Sequence, residues 1–555
     1  MMIVECELDD LLVMIGKKMS IEELEETLFL IKAEIERIEG NIIEIDIKPD
    51  RPDMLSPEGI ARAIRSFLSI ELGLKAYKVR KSGHEVIVKP GLSKIRKYIV
   101  GGIVRGITTS DELIKDYMHL QEALTSTHGR NRKKASIGLY VHDEIKYPVV
   151  YRPMKPESIR FAPLGHEIEM DGPTILREHE KGVIYGPIIA HQKKWPMLVD
   201  SRGEVLSLPP VINSNTLGQV STETRDIFVE VTGTHLPTIS QALNIMVASL
   251  AQRGGTIESV IVRYPDGTVD ETPNLAPWKT TLTKAEIAEL TGLDLKDKEI
   301  IDSLEKMGYG ARISKSGKVA VSVPSYRADI LHGVDIIEDV AIGYGFNNIE
   351  PSIPQTMTTG KLLPITRIME KSRDLMVGIG YQEIMSYIMT SPDTLNPRMN
   401  RDNPTVVTSN PKSRDYSVLR NSLLPNLMDL ISRNQHADYP QKIFEVGYVV
   451  VPDEESETRS RQVPTLCGLV TDNNVNLTHL MTEIGFALRN LGLEGKFNFV
   501  QRIDSSFIEG RCGTIEIGGE SLGYFGEIAP EVLVNFGLIK PVVAFELDLP
   551  LSGEW

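Results

Sequence analysis

Between Ser20 and Gly40 the apolar residues Leu24, Leu28, Ile31, Ile35 and Ile38 recur every three or four positions, a spacing that predicts one amphipathic helix. Ser20 and Glu23 have the separation of a capping box, and Gly40 supplies the stop. A strand follows at Ile42 to Ile47. The turn Lys48-Pro49-Asp50-Arg51-Pro52-Asp53 then leads to a second helix, capped by Ser56 with Pro57 at its first position. Asp50, Arg51 and Asp53 are expected to pair locally and fix that turn.

From about residue 90 to 264 the pattern shifts to short strands and turns, such as Ser136 to Val141 and Ile227 to Val231. Along the second of these, Phe228, Glu230 and Thr232 share one face, while Ile227, Val229 and Val231 take the other and Gly233 ends the strand. The turn formers from Tyr264-Pro265-Asp266-Gly267 to Pro277 predict a boundary. Trp278 to Ile349 then reads as helix, helix, hairpin, helix. Thr283 and Glu286 cap the first helix, Gly292 and Gly308 close two of them, and Val319, Val321 and Val323 alternate beside a Lys315-Ser316-Gly317-Lys318 turn. A second linker runs from Pro351 to Pro364. The final region carries helices near 364–378 and 423–434, with Ile443 to Val451, Thr465 to Val470 and Val542 to Leu549 as strands of one sheet. The fold class is α+β and multidomain: an N-terminal α/β module over 1–89, an α+β segment over 90–264, a winged-helix-like segment over 270–349 and a mixed region over 355–555.

Length changes the picture little, since 555 residues with 41% apolar content are enough for about three to five domains. Charge says more. A net charge of −15 argues against indiscriminate coating of nucleic acid, which needs local positive potential. The clearest basic run is His128 to Lys134, with Arg130, Arg132, Lys133 and Lys134 as candidate RNA contacts or as plain solvated surface. Cys6, Cys467 and Cys512 are far apart and predict neither a disulfide framework nor a zinc site. No stretch has the apolar length of a membrane span and the amino terminus is acidic, so the cytoplasm is the expected compartment.

One segment concentrates acid. Asp335, Glu338 and Asp339 fall on one face of a predicted helix, with Asp329 in the loop before it. Held together, these carboxylates repel unless a cation or a basic surface neutralises them. An all-oxygen set suits magnesium, which takes few protein carboxylates and is often completed by another chain or by phosphate. Spacing alone favours the plainer alternative, a solvated acidic face on a helix whose other side is Ile336, Ile337, Val340 and Ala341.

Seven segments, read in order, resemble the β subunit of phenylalanine–tRNA ligase in its shorter archaeal and eukaryotic style. They are IKPDRPDMLSPEGIARAIRSFL (47–68), HGRNRKKASIGLYVHD (128–143), TETRDIFVEVTGT (222–234), the acidic helix, NPKSRDYSVLRNSLLPNL (410–427), IFEVGYVV (443–450) and GYFGEIAPEVL (523–533). The resemblance implies a partner in an assembly of two α and two β subunits, with ATP and phenylalanine bound by the α subunit and tRNA(Phe) as the RNA. It implies that 355–555 is a class II synthetase-like antiparallel module without its chemistry. At the places where that class carries ATP-binding arginines, this chain reads Ile443-Phe444-Glu445-Val446-Gly447 and Ala544-Phe545-Glu546-Leu547-Asp548. It turns the acidic helix toward magnesium, held by Asp329, Asp335, Glu338 and Asp339 in a winged-helix-like B5 domain.

The resemblance also makes 90–264 a B3/B4-type editing domain that removes tyrosine from tRNA(Phe), with Leu198, Ser207, Glu230 and Thr232 in its pocket. The physical need is clear. A largely apolar pocket cannot reject a substrate that merely adds a hydroxyl by more than about a hundredfold, so a second, hydrolytic site is the remedy. Glu230 is suited to accept a bond from a tyrosyl hydroxyl and Thr232 to orient an ester or a water. The other readings are a polar strand face in water and a scaffold subunit without editing.

Overall fold

A computed structural model describes residues 2–550. The chain forms two compact units, residues 1–353 and 354–555, and the end of the region expected at 355–555, positions 551–555, lies outside the described residues.

The first unit opens with a three-stranded antiparallel sheet in which Ile42–Ile47 lies between Met2–Glu7 and Ala33–Glu39. This corrects the predicted long helix. The capping box at Ser20 and Glu23 is formed, but the helix is Ile21–Leu30, and Lys32 turns the chain at φ 70° into a strand. The pairing shifts register between Ile35 and Arg37, so Ile35 opposes Ile45 and Ile38 opposes Ile43. A bulge adds one residue to the strand and puts positions three apart on one face, which mimics helical spacing. The second helix, Pro57–Phe67, has the expected cap: the Ser56 hydroxyl accepts from the Gly59 N–H at 3.2 Å. In the turn before it, Arg51 grips Asp53 with two bonds of 2.9 and 3.0 Å, both side chains buried, while Asp50 pairs instead with Lys32.

The largest sheet has ten strands. Its order is Ile212–Asn213, Val205–Leu208, Trp195–Val199, Val149–Met154, Val79–Val88, Thr256–Arg263, Tyr98–Arg105, Ile227–Gly233 and Ala135–Val141, with Val269–Thr272 joined to Thr256–Arg263. Two neighbours pair in parallel with Val79–Val88 and the rest are antiparallel. The turn-rich stretch after Tyr264 is therefore a hairpin within this sheet, closed at Gly267, rather than a linker. One face of the sheet packs Val229 and Val231 against the helix Leu236–Gln252; the other packs Phe228, Tyr140, Tyr151 and Leu198 together. Ile227–Gly233 is buried on both sides, so its polar face is not in water.

Residues 278–344 form a smaller body: helices Lys284–Thr291, Asp297–Lys306 and Gly333–Tyr344 around the hairpin of Gly310–Ile313 and Lys318–Val323. The order matches the expectation, with one strand added, Trp278–Thr283, which pairs with Lys318–Val323. Leu282, Ile300, Leu304, Val321, Ile336 and Val340 fill its core.

The second unit is built on a seven-stranded sheet ordered Gln382–Glu383, Gln441–Pro452, Ser460–Thr471, Val542–Asp548, Glu520–Ile528, Phe507–Ile517 and Phe497–Gln501. Only its first pair is parallel. The three predicted strands are neighbours in it. Helix Leu424–Arg433 covers one face, over Cys467, Leu469 and Ala544; helices Pro364–Gly378 and Leu477–Leu488 cover the other, over Leu466 and Phe545.

Candidate functional site

The large sheet carries a cavity of about 370 Å³ where its two terminal strands, Ala135–Val141 and Ile212–Asn213, approach each other, lined among others by Gln121, Arg132, Ser136, Ser207, Asn213 and Glu230. Apolar walls come from Ile114, Met118, Leu139, Leu164, Ile212 and Val220. Glu230 is the only carboxylate in that wall besides Glu122. It is 2% exposed. Its Oε2 accepts from the Tyr140 hydroxyl at 3.0 Å, and its Oε1 has no partner within the chain. A buried carboxylate without full compensation favours its protonated form. Burial accordingly pushes the Glu230 carboxyl up to about 7, against the opposing pull of the Tyr140 bond and the Arg96 charge.

Thr232 lies two residues on, wholly buried. Its hydroxyl meets Arg96 Nε at 3.0 Å and Ser136 Oγ at 3.1 Å. Arg96 is itself buried, donating also to the Thr232 carbonyl and to the Arg132 carbonyl, so this guanidinium ties the end of the strand to the basic loop. Desolvation lowers it to about 10. Leu198 pairs in register with Ser207, but only Ser207 reaches the cavity wall; Leu198 belongs to the core behind it. The four residues expected in the pocket thus divide: Glu230 and Ser207 line it, while Thr232 and Leu198 support it.

The basic run is not one patch. Arg130, Asn131 and Arg132 take left-handed backbone conformations, with φ of 51°, 50° and 62°. Arg130 and Lys133 are exposed and Lys134 is half-buried. Arg132 turns inward. It donates to Glu122 at 2.8 Å and to the carbonyls of Pro210 and Val211, and its guanidinium lies 4.0 Å above the Tyr185 ring. It lines the cavity rather than standing free for phosphate.

The acidic helix is likewise divided. Asp339 is 3% exposed and is held by Arg327 and the Tyr309 hydroxyl. Asp329 takes the same Arg327 through bonds of 2.9 and 2.7 Å. Asp335 accepts the Leu331 and His332 N–H groups on one oxygen, capping its own helix. Glu338 is exposed and pairs with Lys32 at 2.8 Å. Each charge therefore has a partner in this chain. Among the described residues no group of three or more His, Cys, Asp or Glu is arranged to hold a metal ion. The four carboxylates do not fit a complete magnesium site made by this chain alone; Asp335 and Glu338 are the two whose oxygens Arg327 leaves open.

In the second unit, Glu445 and Glu546 are both buried and both used. Glu445 binds Arg420 at 2.7 Å, and Glu546 accepts the Leu423 and Leu424 N–H groups at the start of helix Leu424–Arg433. Arg420 is buried and also donates to the Tyr448 carbonyl and the Ser386 hydroxyl. Neither Ile443–Gly447 nor Ala544–Asp548 offers a free guanidinium.

The family described as tRNA synthetase B5 domain matches residues 280–346, and that described as phenylalanyl tRNA synthetase beta chain CLM domain matches 349–549. The phenylalanine–tRNA ligase beta subunit of Pyrococcus horikoshii is 40% identical over 546 residues, covering 97% of each chain. That of Thermococcus gammatolerans is 41% identical over 561 residues, covering 98% of each. The chain belongs to the phenylalanine–tRNA ligase β-subunit family. A crystal structure of an N-terminal fragment of the phenylalanyl-tRNA synthetase β subunit from P. horikoshii also matches, with TM-score 0.60 and 42% identity over 62% of this chain and 99% of that one. Within this family frame, the acidic helix falls in the B5 match and the seven-stranded sheet in the CLM match. No helix among the described residues is long and apolar enough to cross a membrane.

Sequence reasoning did not single out Arg96, Gly138, Tyr140 or Asn213. Gly138 and Tyr140 were within reach: with Ser136 they are two apart along one strand, so all three share a face. Arg96 and Asn213 were not legible as site residues, because their side chains bond Ser136 and Tyr140, 40 and 73 residues away in sequence.

Proposed function

We propose that this chain is the β subunit of a phenylalanine–tRNA ligase, a cytoplasmic enzyme of two α and two β subunits that attaches phenylalanine to tRNA(Phe) at the expense of ATP. ATP and phenylalanine belong to the α subunit. In support, the two strands that would carry nucleotide-binding arginines carry Glu445 and Glu546 instead, and both acids are consumed by the fold. The second unit exposes large apolar side chains suited to cover by the α chain: Met385 at 94%, Tyr387 at 75%, Val407 at 66% and Tyr416 at 47%.

The cavity beside Glu230 is the editing site of this reading. One observation carries it: a buried carboxylate oxygen, Oε1, without a partner, on the wall of a cavity of about 370 Å³. Filled by a phenyl ring, that oxygen stays unpaired; filled by a hydroxyphenyl ring, it gains a donor. The asymmetry is what phenylalanine and tyrosine need, because an unmade buried hydrogen bond costs far more than a made one gains. Water then attacks the ester carbonyl, the bond to the ribose oxygen breaks, and tyrosine and tRNA leave. Thr232 and Arg96 hold the strand. Arg130 and Lys133, both exposed, supply the positive charge that would meet acceptor-stem phosphate. Magnesium at the B5 helix would take Asp335 and Glu338, with water or another chain supplying the remaining oxygens.

Deacylation of tyrosyl-tRNA(Phe) by the assembled α and β subunits tests the editing reading. Glu230→Ala should lower the rate on the tyrosyl ester by about tenfold or more, with little change on the phenylalanyl ester. A complex that hydrolyses neither ester is a scaffold, and the reading fails.

A further inference from the structure

Glu230 faces Gly138 across the paired strands, and Phe228 faces Tyr140. Tyr140 is therefore not directly opposite the carboxylate it bonds. Its ring leans back along its own strand and lies over Gly138. A Cβ placed on Gly138 would fall 2.3 Å from the Tyr140 hydroxyl oxygen and 2.6 Å from its Cζ. Only glycine at 138 leaves room for the phenol where it is.

The phenol is fixed from three further strands. Its oxygen is 3.0 Å from Glu230 Oε2, 2.9 Å from Ser207 Oγ and 3.4 Å from Asn213 Oδ1. Tyr140 is fully buried and, unlike Glu230, Ser207 and Asn213, does not line the cavity. It has one proton to give. Once the carboxylate is ionised it is the strongest acceptor nearby, so the phenol donates to Oε2, and Ser207 can donate to the phenol oxygen. Oε2 is thereby used up from behind the wall, and Oε1 remains.

We propose that Gly138 and Tyr140 form a clamp that fixes the orientation of Glu230 and presents its Oε1 to the cavity as the acceptor for a 4-hydroxyphenyl group. Tyr140 is a positioning residue. It does not touch the bound ester; it works through Glu230 by denying the carboxylate a second rotamer in which both oxygens turn away from the cavity. A free carboxylate there would spread its acceptor over several directions and distinguish hydroxyphenyl from phenyl poorly. The inference rests on the reading of this cavity as a tyrosine-ester site.

The test is a double-mutant cycle in the full α and β complex, measuring hydrolysis of tyrosyl-tRNA(Phe) and phenylalanyl-tRNA(Phe). Tyr140→Phe keeps the ring and removes the clamp; it should reduce the tyrosyl-over-phenylalanyl preference in kcat/KM by about tenfold. Glu230→Gln should reduce it at least as far. In the Glu230→Gln background Tyr140→Phe should change the preference no further, since its effect runs only through the carboxylate. Gly138→Ala should reproduce Tyr140→Phe; should it fail to fold, the Tyr140 and Glu230 cycle decides alone. If Tyr140→Phe keeps the full preference, or if the two losses simply multiply, the clamp is wrong while the editing site stands. If the unaltered complex hydrolyses neither ester, the editing reading falls and takes the clamp with it.

Discussion

Two acidic regions of the first unit invite comparison. The B5 helix and the loop before it gather Asp329, Asp335, Glu338 and Asp339, yet all four are answered by Arg327, Lys32, Tyr309 or backbone N–H groups. The sheet cavity has Glu230, one acid buried deeper than most of the four, with one oxygen unanswered. Charge density pointed to the first region and uncompensated charge points to the second. A cluster of like charges shows only that neutralisation is required. A buried group left without a partner shows that the fold bears a cost in place of a contact, and that contact is open to a ligand.

The comparison breaks most severely at Arg327. This side chain is 3% exposed and holds both Asp329 and Asp339. Arg327→Ala leaves two carboxylates buried without their cation and should cost about 3–5 kcal/mol, seen as a lower denaturant midpoint for the first unit. A loss under about 1 kcal/mol would mean that the acids are neutralised from elsewhere.

Glu230 sharpens the contrast with the opposite sign. Its carboxyl is raised to about 7 from an ordinary 4.5, so between those values the native state keeps a proton that the unfolded chain has released. Stability contributed by this group is full below about pH 4.5, falls as pH rises toward 7, and then levels off. Glu230→Gln removes the penalty. It should stabilise the protein by about 1–3 kcal/mol at pH 8, with the gain shrinking as the pH is lowered toward 5. Melting curves across that range check it, and a gain independent of pH would place the ionisation elsewhere.

The smallest effect lies at the surface. Lys32 and Glu338 are 27% and 52% exposed, and Lys32→Ala should cost no more than about 1 kcal/mol, less in high salt. The same change frees Glu338, so calorimetric titration with magnesium should show tighter binding than in the unaltered protein. Asp335→Ala should abolish the heat. An unchanged response in both variants would remove the B5 helix as a magnesium site.

Much of the fold was legible in local pattern. The caps at Ser20, Ser56 and Thr283, the strand Ile42–Ile47 and the three central strands of the second unit follow from residues within a few positions of one another. Where the reading failed, the failure had a physical cause: a bulge between Ile35 and Arg37 gave a strand the spacing of a helix, and a turn-rich stretch after Tyr264 proved to be a hairpin inside a sheet. At the site, Glu230 was legible by its strand face and by the family resemblance, and Ser207 by the resemblance alone. The inward turn of Arg132 was not, since it depends on Tyr185 and Pro210, far along the chain, as well as on Glu122.

By itself the sequence determined the helices and strands with clean caps and alternation, the family, and the polar face of Ile227–Gly233. Only the tertiary structure decided which acids are spent and which is left over. Partnering is a property of side chains brought together from distant strands: Tyr140 reaches Glu230 across 90 residues and Arg327 reaches Asp339 from a separate loop. No periodicity along the chain records that kind of contact.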